Sequence, residues 1–191
     1  MEILVSSPFG HFFCVNRVII MEKFVLKSII ESYDMERNEF SIHGCSFSMS
    51  SEEAALCLGL PVVGRSISLR KRPRLSDCLS SYLCKNSRRG REQFFEGAKE
   101  ALRKGDDENA ARLLILLLFS TVLFPAPNQS TPPALIPYVS DLSGLWAYKW
   151  GDEVFRYLMD GVRHAVEARR AGRTSLTLHG CSLLLVVSLN F

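Results

Sequence analysis

Motifs that would reveal a catalytic centre are missing from this sequence. It has no G-x-S-x-G nucleophile elbow, no H-E-x-x-H metal-binding helix and no G-x-x-x-x-G-K-[ST] phosphate-binding loop. Its four histidines are scattered over the chain, and Cys78 and Cys84 lack the spacing of a zinc-binding pair. Only one lysine, Lys149, follows Lys104, and we interpret it as a surface side chain rather than a Schiff-base lysine. We therefore expect no catalytic residue, no metal site and no cofactor.

Long apolar runs are also missing. The most hydrophobic stretch, Leu113–Phe124, has 12 residues, whereas a membrane-spanning helix needs about 20. Near the N-terminus, Glu2 stands where a signal peptide would carry positive charge, and Ser6, Ser7 and Pro8 interrupt the apolar residues. The sequence therefore predicts a chain with no membrane partner, in which Leu113–Phe124 is a buried core helix.

A disulfide framework is not indicated either. The six cysteines are dispersed in apolar or helical stretches, which favours free thiols in a reducing compartment. The chain has 191 residues, of which 47% are hydrophobic and 23% charged. These values are typical of one globular domain, which buries roughly 70% of its unfolded surface at this size.

Local structure is most clearly encoded in the region 40–64. Alternating apolar residues on both sides of His43 and Gly44 predict a hairpin. Ser50 lies three residues before Glu53, which is the spacing of a capping box at the start of a helix. Gly59 then predicts the end of that helix, because glycine readily adopts the left-handed backbone of a C-terminal cap.

Apolar periodicity extends this interpretation to the whole chain. It predicts helices over residues 17–34, 51–58, 76–85, 91–104, 107–124 and 150–170, with short extended pieces at 66–69 and 175–178. The predicted fold is mainly α: a compact multi-helix domain with one or two short β-hairpins, spanning 1–191 as a single domain. Since the apolar stretch 181–189 lies directly at the end of the sequence, we expect the domain to be incomplete at its C-terminus.

Charge is distributed unevenly. Residues 70–104 hold eleven Lys or Arg and four acids, a net charge of +7, while the whole chain has +3. The candidate phosphate-binding residues are Arg70, Lys71, Arg72, Arg74, Arg88, Arg89 and Arg91. Nuclear import or contact with DNA or RNA is one interpretation of this run, and a solvated surface loop is the other. No aromatic residues interleave with the run, so base stacking is not indicated.

Three blocks of the sequence resemble the plant mobile domain, also called the aminotransferase-like plant mobile domain. They are Phe47–Gly64, which ends in Gly-Leu-Pro-Val-Val-Gly, Leu113–Pro125, which ends in Leu-Phe-Pro, and the segment from Asp141 to Gly151. The blocks occur in that family's order, and the resemblance covers residues 18–185. One departure is Glu-Glu-Ala-Ala at 52–55, where the family has Glu-Asp-Val-Ala.

The resemblance implies a function that the residues alone do not. It implies a non-enzymatic, nuclear protein-interaction or chromatin-associated module related to transposable elements, acting in transposon silencing or genome maintenance, with a phosphatase-like or chromatin protein as partner. The alternative is a direct nucleic-acid-binding component of a mobile element, acting through the basic segment 70–91. The positions that match the family pattern, and that we interpret as structural, are Gly59, Leu60, Pro61, Gly64, Asp141, Trp150 and Gly151.

The aromatic residues Trp146, Tyr148 and Trp150 have two interpretations. Alternating aromatic side chains are typical of a recognition surface, because Trp and Tyr are favoured at interaction hot spots. They are equally typical of a loop that is anchored onto a helical core. We favour core anchoring, since Trp150 belongs to the third block.

Overall fold

The computed structural model describes residues 2–15, 23–69, 77–83, 90–126, 132–173 and 177–187. The α-helices of these residues are α1 (Glu2–Val5), α2 (Lys23–Glu31), α3 (Ser51–Cys57), α4 (Asp77–Ser80), α5 (Arg91–Arg103), α6 (Asp107–Leu118), α7 (Trp150–Arg170) and α8 (Leu183–Val187). The strands are β1 (Tyr33–Asp34), β2 (Glu39–Ile42) and β3 (Cys45–Phe47), and short 3₁₀ helices cover Gly10–Cys14, Pro133–Val139 and Ser143–Ala147. The predicted mainly α fold is confirmed.

The three strands form an antiparallel sheet in the order β1-β2-β3, which amounts to two consecutive hairpins. In the second hairpin, His43 and Gly44 have φ angles of 50° and 82°. Two successive positive φ angles are what a type I′ turn requires, and that turn matches the twist of the flanking strands. Phe40 pairs with Phe47, and their rings stack with centroids 5.3 Å apart. The hairpin predicted around His43 and Gly44 is present.

Both ends of α3 follow the predicted capping pattern. The Ser50 hydroxyl accepts a hydrogen bond from the Glu53 amide at 3.1 Å, and the Glu53 carboxylate accepts one from the Ser50 amide at 2.8 Å. At the other end Gly59 has a φ of 62°. This left-handed residue lets the Leu60 amide donate back to the Ala55 carbonyl at 2.9 Å, which completes a Schellman motif.

The predicted helix over 107–124 divides into two parts. It is α-helical only as far as Leu118, and Phe119–Leu123 forms a π-helical turn. The hydroxyls of Ser120 and Thr121 both donate to the Leu117 carbonyl, at 2.9 and 2.8 Å. These hydroxyls compete for a carbonyl of the regular helical ladder, and such competition favours a local change of helix geometry.

The predicted helix over 17–34 ends earlier than expected. α2 ends at Glu31, residues 16–22 lie outside the described part, and Tyr33 belongs to β1. Tyr33 pairs with Phe40, and its hydroxyl donates to the Asn38 side chain at 2.9 Å. Pairing with a strand therefore outweighs the helical periodicity at Tyr33.

The core surrounds Trp150, the first residue of α7, which is completely buried. Its ring lies 5.1 Å from those of Phe9 and Phe119, and its indole N–H donates to the Leu145 carbonyl at 2.8 Å. Helix α3 packs closely on α7, because Gly151 has no side chain to separate it from Ala55. Phe9 thus fixes the N-terminal segment, and with it α1, onto the core.

Two further expectations concern the environment of the chain. In the part of the chain described above, no helix is both long and apolar enough to cross a membrane. Of the six cysteines, Cys14, Cys45, Cys57 and Cys181 are free thiols, and Cys84 lies outside the described residues. Burial raises the pKa of the Cys181 thiol to about 11, so this thiol stays protonated and behaves as an apolar core group.

Candidate functional site

Most of the predicted basic surface lies outside the described residues. Six of the seven candidate phosphate-binding residues belong to residues 70–76 and 84–89, namely Arg70, Lys71, Arg72, Arg74, Arg88 and Arg89. Only Arg91 is described, as the exposed first residue of α5. The described remainder of residues 70–104 holds four basic and four acidic residues. On α5, Lys99 pairs with Glu96 at 3.0 Å and Lys104 with Glu100 at 3.3 Å. The positive excess of this region is therefore confined to residues 70–76 and 84–89.

Most of the residues interpreted as structural lie at helix ends or in the core. Gly59 and Leu60 end α3, Pro61 follows them half-buried, Gly64 lies against the Ala147 carbonyl, and Trp150 and Gly151 begin α7 in the core. Asp141 is the charged residue of this set; it is exposed, and its side chain lines a cleft.

The cleft lies between α1, the start of α6 and residues 140–146. Its volume is about 470 Å³, which falls in the usual range of ligand sites, roughly 300–1,000 Å³. The side chains that determine its chemistry are Ser6, Glu108, Arg112, Asp141 and Trp146. We refer to it as the polar cleft.

Asp141 is held by the turn that follows it. Its Oδ1 accepts hydrogen bonds from the Ser143 hydroxyl at 2.6 Å and from the Gly144 amide at 3.1 Å. These bonds, the one from Ser143 above all, lower the pKa of Asp141 below its usual value. A Cβ atom at Gly144 would lie 2.5 Å from Oδ2, so a larger residue at position 144 would displace the Asp141 carboxylate from this position. Asp141 is therefore an oriented, ionised carboxylate at neutral pH.

Arg112 connects α6 with residues 140–146. Its Nε donates to the Ser140 carbonyl at 3.2 Å, and its two terminal nitrogens donate to Asn109 at 3.0 Å and to Glu108 at 2.8 Å. Its side chain is only 12% exposed, whereas that of Glu108 is 63% exposed. The guanidinium is thus engaged inside the protein, where it fastens the 140–146 segment to α6 and balances the charge of Glu108.

Trp146 is the exposed aromatic residue of the cleft. It is 56% exposed, although its indole N–H donates to the Ser6 carbonyl of the N-terminal segment at 2.8 Å. Trp150, four residues later, is completely buried. Of the two interpretations of these aromatic residues, core anchoring thus describes Trp150, and an exposed position suited to recognition describes Trp146.

The pKa of the oriented carboxylate in the cleft is moved away from the range that suits a general base. A general base works best when its pKa is near the working pH, and the pKa of Asp141 is lowered. Burial raises the pKa of Glu153 to about 7, but this residue is 2% exposed, is ion-paired with Arg156 and does not line the cleft. No group of three or more His, Cys, Asp or Glu in the described residues is arranged to hold a metal ion.

Several residues of the cleft were missed by sequence reasoning. Arg112 carried a signal, since it is the one charge within an otherwise apolar helical stretch and lies four residues after Glu108. Asp141, Ser143 and Gly144 together are typical of a side-chain-capped turn. No signal in the sequence pointed to Ser6, because the hydrogen bond that its carbonyl accepts comes from Trp146, which is 140 residues away in the chain.

A second cavity is more apolar and larger, at about 700 Å³, and is lined by residues such as His11, Leu56, Thr121 and Leu183. Its described lining residues include no Asp, Glu, Lys or Arg, whereas the polar cleft brings Glu108, Arg112 and Asp141 together. The polar cleft therefore offers the more specific chemistry and is the candidate site.

Comparison with known proteins places the chain in a family. The sequence profile described as "Domain of unknown function (DUF8566)" matches residues 1–186, so the chain belongs to this family. No curated protein and no solved structure matches the chain.

The expected membership of the plant mobile domain family is therefore wrong. The matching profile is that of a different family and covers nearly the whole chain. The structure provides a physical reason for the misleading likeness. The block around Gly59 is a capped helix end, and Trp150 and Gly151 begin a buried helix. Motifs of this kind recur in unrelated helical folds, because they satisfy general requirements of capping and close packing.

Proposed function

We propose that this protein is a non-enzymatic protein-interaction module that binds a peptide segment of a partner protein in the polar cleft. The observation that carries the proposal is the geometry of Trp146. The residue is more than half exposed, yet the hydrogen bond from its indole N–H to the Ser6 carbonyl fixes the orientation of its ring. An aromatic side chain that is ordered before binding loses little conformational entropy on complex formation, and Trp is among the residues most enriched at interaction hot spots.

The surroundings of Trp146 support the same proposal. Arg112 and Asp141 hold their parts of the wall through hydrogen bonds within the protein, so the cleft is formed before a partner arrives. The polar groups that line it offer hydrogen bonds to a peptide backbone. Burial raises the pKa of Glu153 to about 7, as a general base would need, but Glu153 does not line the cleft. Its position favours binding over catalysis in the cleft.

A random peptide library displayed on phage tests this proposal. The library is selected on the wild-type protein alone, and the affinities of the selected peptides for wild type and for the variants are then measured by calorimetry. We expect Trp146→Ala to weaken binding at least ~30-fold, since loss of a hot-spot residue lowers the binding free energy by about 2 kcal/mol or more. Phe24→Ala is the matched control, because Phe24 is 80% exposed on α2 and does not line the cleft. Peptides that bind both variants as tightly as wild type would contradict the proposal.

A second candidate function, direct binding of nucleic acid, is favoured by the charge distribution. The excess of +7 in residues 70–104 is confined to residues 70–76 and 84–89, where no acidic residue accompanies it. Affinity that depends on phosphate contacts falls steeply with salt. Salt-titrated binding of duplex DNA and of RNA should therefore show a steep slope that flattens when Arg70, Lys71, Arg72 and Arg74 are all changed to Ala. Absence of binding at low salt would remove this candidate.

The same run, Arg70–Arg74, supports nuclear import as a proposal about location. Its test is the distribution of a fluorescent fusion of the whole chain with and without the four substitutions. Retention of the nuclear signal by the substituted chain would contradict the proposal. The transposon-related roles and the phosphatase-like or chromatin partners rested on the plant mobile domain resemblance and now have no support.

A further inference from the structure

Resting on the proposed function, we infer that the polar cleft recognises a basic side chain, Lys or Arg, of the partner peptide. The lining of the cleft carries a net negative charge, because it holds two carboxylates, Glu108 and Asp141, and one cation, Arg112. Arg112 forms an ion pair with Glu108 at 2.8 Å, and its charge also reaches Asp141, whose pKa it helps to lower. One negative charge of the lining is therefore not balanced within the cleft and can attract a cationic ligand.

Asp141 is ionised and is held in place by the turn that follows it. The hydrogen bonds from the Ser143 hydroxyl and the Gly144 amide both go to Oδ1, and the Ser143 backbone also helps to lower the pKa of Asp141. Neither of the two bonds to Oδ1 uses Oδ2, and Asp141 is exposed to solvent. The turn thus orients the carboxylate and keeps it ionised, and Oδ2 can accept a hydrogen bond from a cation.

Trp146 lies in the same cleft as Asp141. A cation is attracted to the face of an indole ring, and Trp is the strongest of the aromatic residues in this respect. The combination of a carboxylate and an exposed Trp therefore suits an ammonium or guanidinium group, whose alkyl stem packs on the ring. A partner carboxylate would instead be repelled by Asp141, and the guanidinium that it would need is mostly buried, with its nitrogens bonded to Ser140, Asn109 and Glu108.

The test follows the indole N–H signals of the intact chain by NMR. The probes are capped peptides of sequence Gly-Ser-Ala-X-Ala-Ser-Gly, in which X is Lys, Arg, Gln, Leu or Glu. Trp146 and Trp150 are the two tryptophans of the chain, and Trp146→Ala assigns their signals. We expect the Lys and Arg peptides to shift the Trp146 signal saturably, with an affinity at least ~10-fold above that of the Gln peptide, and high salt to reduce this ratio.

Asp141→Asn is the decisive variant. Asparagine keeps an oxygen that can accept the bonds from Ser143 and Gly144 but removes the charge, so the preference for Lys over Gln should disappear. Glu92→Gln, at an exposed position in the first turn of α5, is the control and should keep the preference. If Asp141→Asn also keeps the preference, the inference is wrong.

The remaining outcomes separate this inference from the proposed function. Tighter binding of the Glu or Leu peptide at Trp146 would overturn the inference but leave the interaction module standing. If no probe shifts the Trp146 signal while library peptides bind in a Trp146-dependent way, the basic side chain is again refuted and the module stands. If neither probes nor library peptides bind at Trp146, both are refuted.

Discussion

Replacement of Gly151 by Ala tests whether close packing of α3 on α7 holds this fold together. A Cβ atom at position 151 would lie 2.6 Å from the Ala55 Cα and closer still to its Cβ. Neither of these atoms can turn away, because one is backbone and the other is attached directly to it. The two helices must therefore move apart, next to the completely buried Trp150.

The magnitude follows from two opposing effects. Forcing an extra carbon into a packed core costs about 1–3 kcal/mol, and the rigid neighbours here favour the upper end of that range. Ala is preferred over Gly within a helix by at most about 1 kcal/mol. We expect Gly151→Ala to lower the free energy of unfolding by about 2 kcal/mol, which at this chain length corresponds to a Tm lower by about 4–8 °C.

Urea unfolding followed by circular dichroism measures this change. The matched control is Gly97→Ala, also at a buried helical glycine, where the new Cβ would lie 3.1 Å from the Tyr82 carbonyl oxygen and 3.3 Å from a Leu113 methyl group. These milder contacts offset the helix preference, so Gly97→Ala should change stability by less than about 1 kcal/mol. A Gly151→Ala protein as stable as wild type would refute the packing argument.

Three further predictions concern a buried acid and the two ends of α3. Burial raises the pKa of Glu153 to about 7 from 4.5, so the folded state binds this proton more tightly and stability rises as pH falls from 7 to 4.5. Arg156, which pairs with Glu153, is half-exposed, so solvent near the pair lessens the desolvation of the carboxylate, and we expect a gain of about 1–2 kcal/mol rather than the full ~3. Glu153→Gln should abolish this pH dependence in urea unfolding, and an unchanged profile would contradict the assignment. Ser50→Ala should lower the free energy of unfolding by about 1 kcal/mol through loss of the capping box, whereas Ser50→Asp, which can still accept the amide bond, should lose less. Gly59→Ala should lower the free energy of unfolding by about 1–2 kcal/mol, because the φ angle of Gly59 is 62° and a Cβ atom strains this left-handed backbone. Gly59→Asn should lower it by less. Equal stability of the two variants would argue against backbone strain as the cause.

The local elements of this protein were predictable because their signals lie within a few residues of one another. The spacing of Ser50 and Glu53, the glycine at 59 and the turn at 43–44 each satisfy backbone hydrogen bonds or dihedral requirements nearby. The bounds of α7 were likewise predicted, since its apolar stripe is long and regular. The mainly α class follows from such elements without knowledge of how they pack.

Family membership was not predictable from the same signals. The blocks that suggested the plant mobile domain are short, and their residues serve capping and packing, as Gly59 and Gly151 do. Requirements of this kind are general, so they do not identify a family, and the family shown, DUF8566, is recognised over residues 1–186 as a whole.

By itself, then, the sequence determined the helical class, the second hairpin and the caps of α3, because these depend on interactions between residues close in the chain. Only the tertiary structure decided which aromatic residue is buried and which is exposed. Trp150 is enclosed by Phe9 and Phe119, while Trp146 is turned outward and bonded to Ser6. The polar cleft exists for the same reason: residues 6, 112 and 141 meet through long-range packing, and no local pattern encodes that meeting.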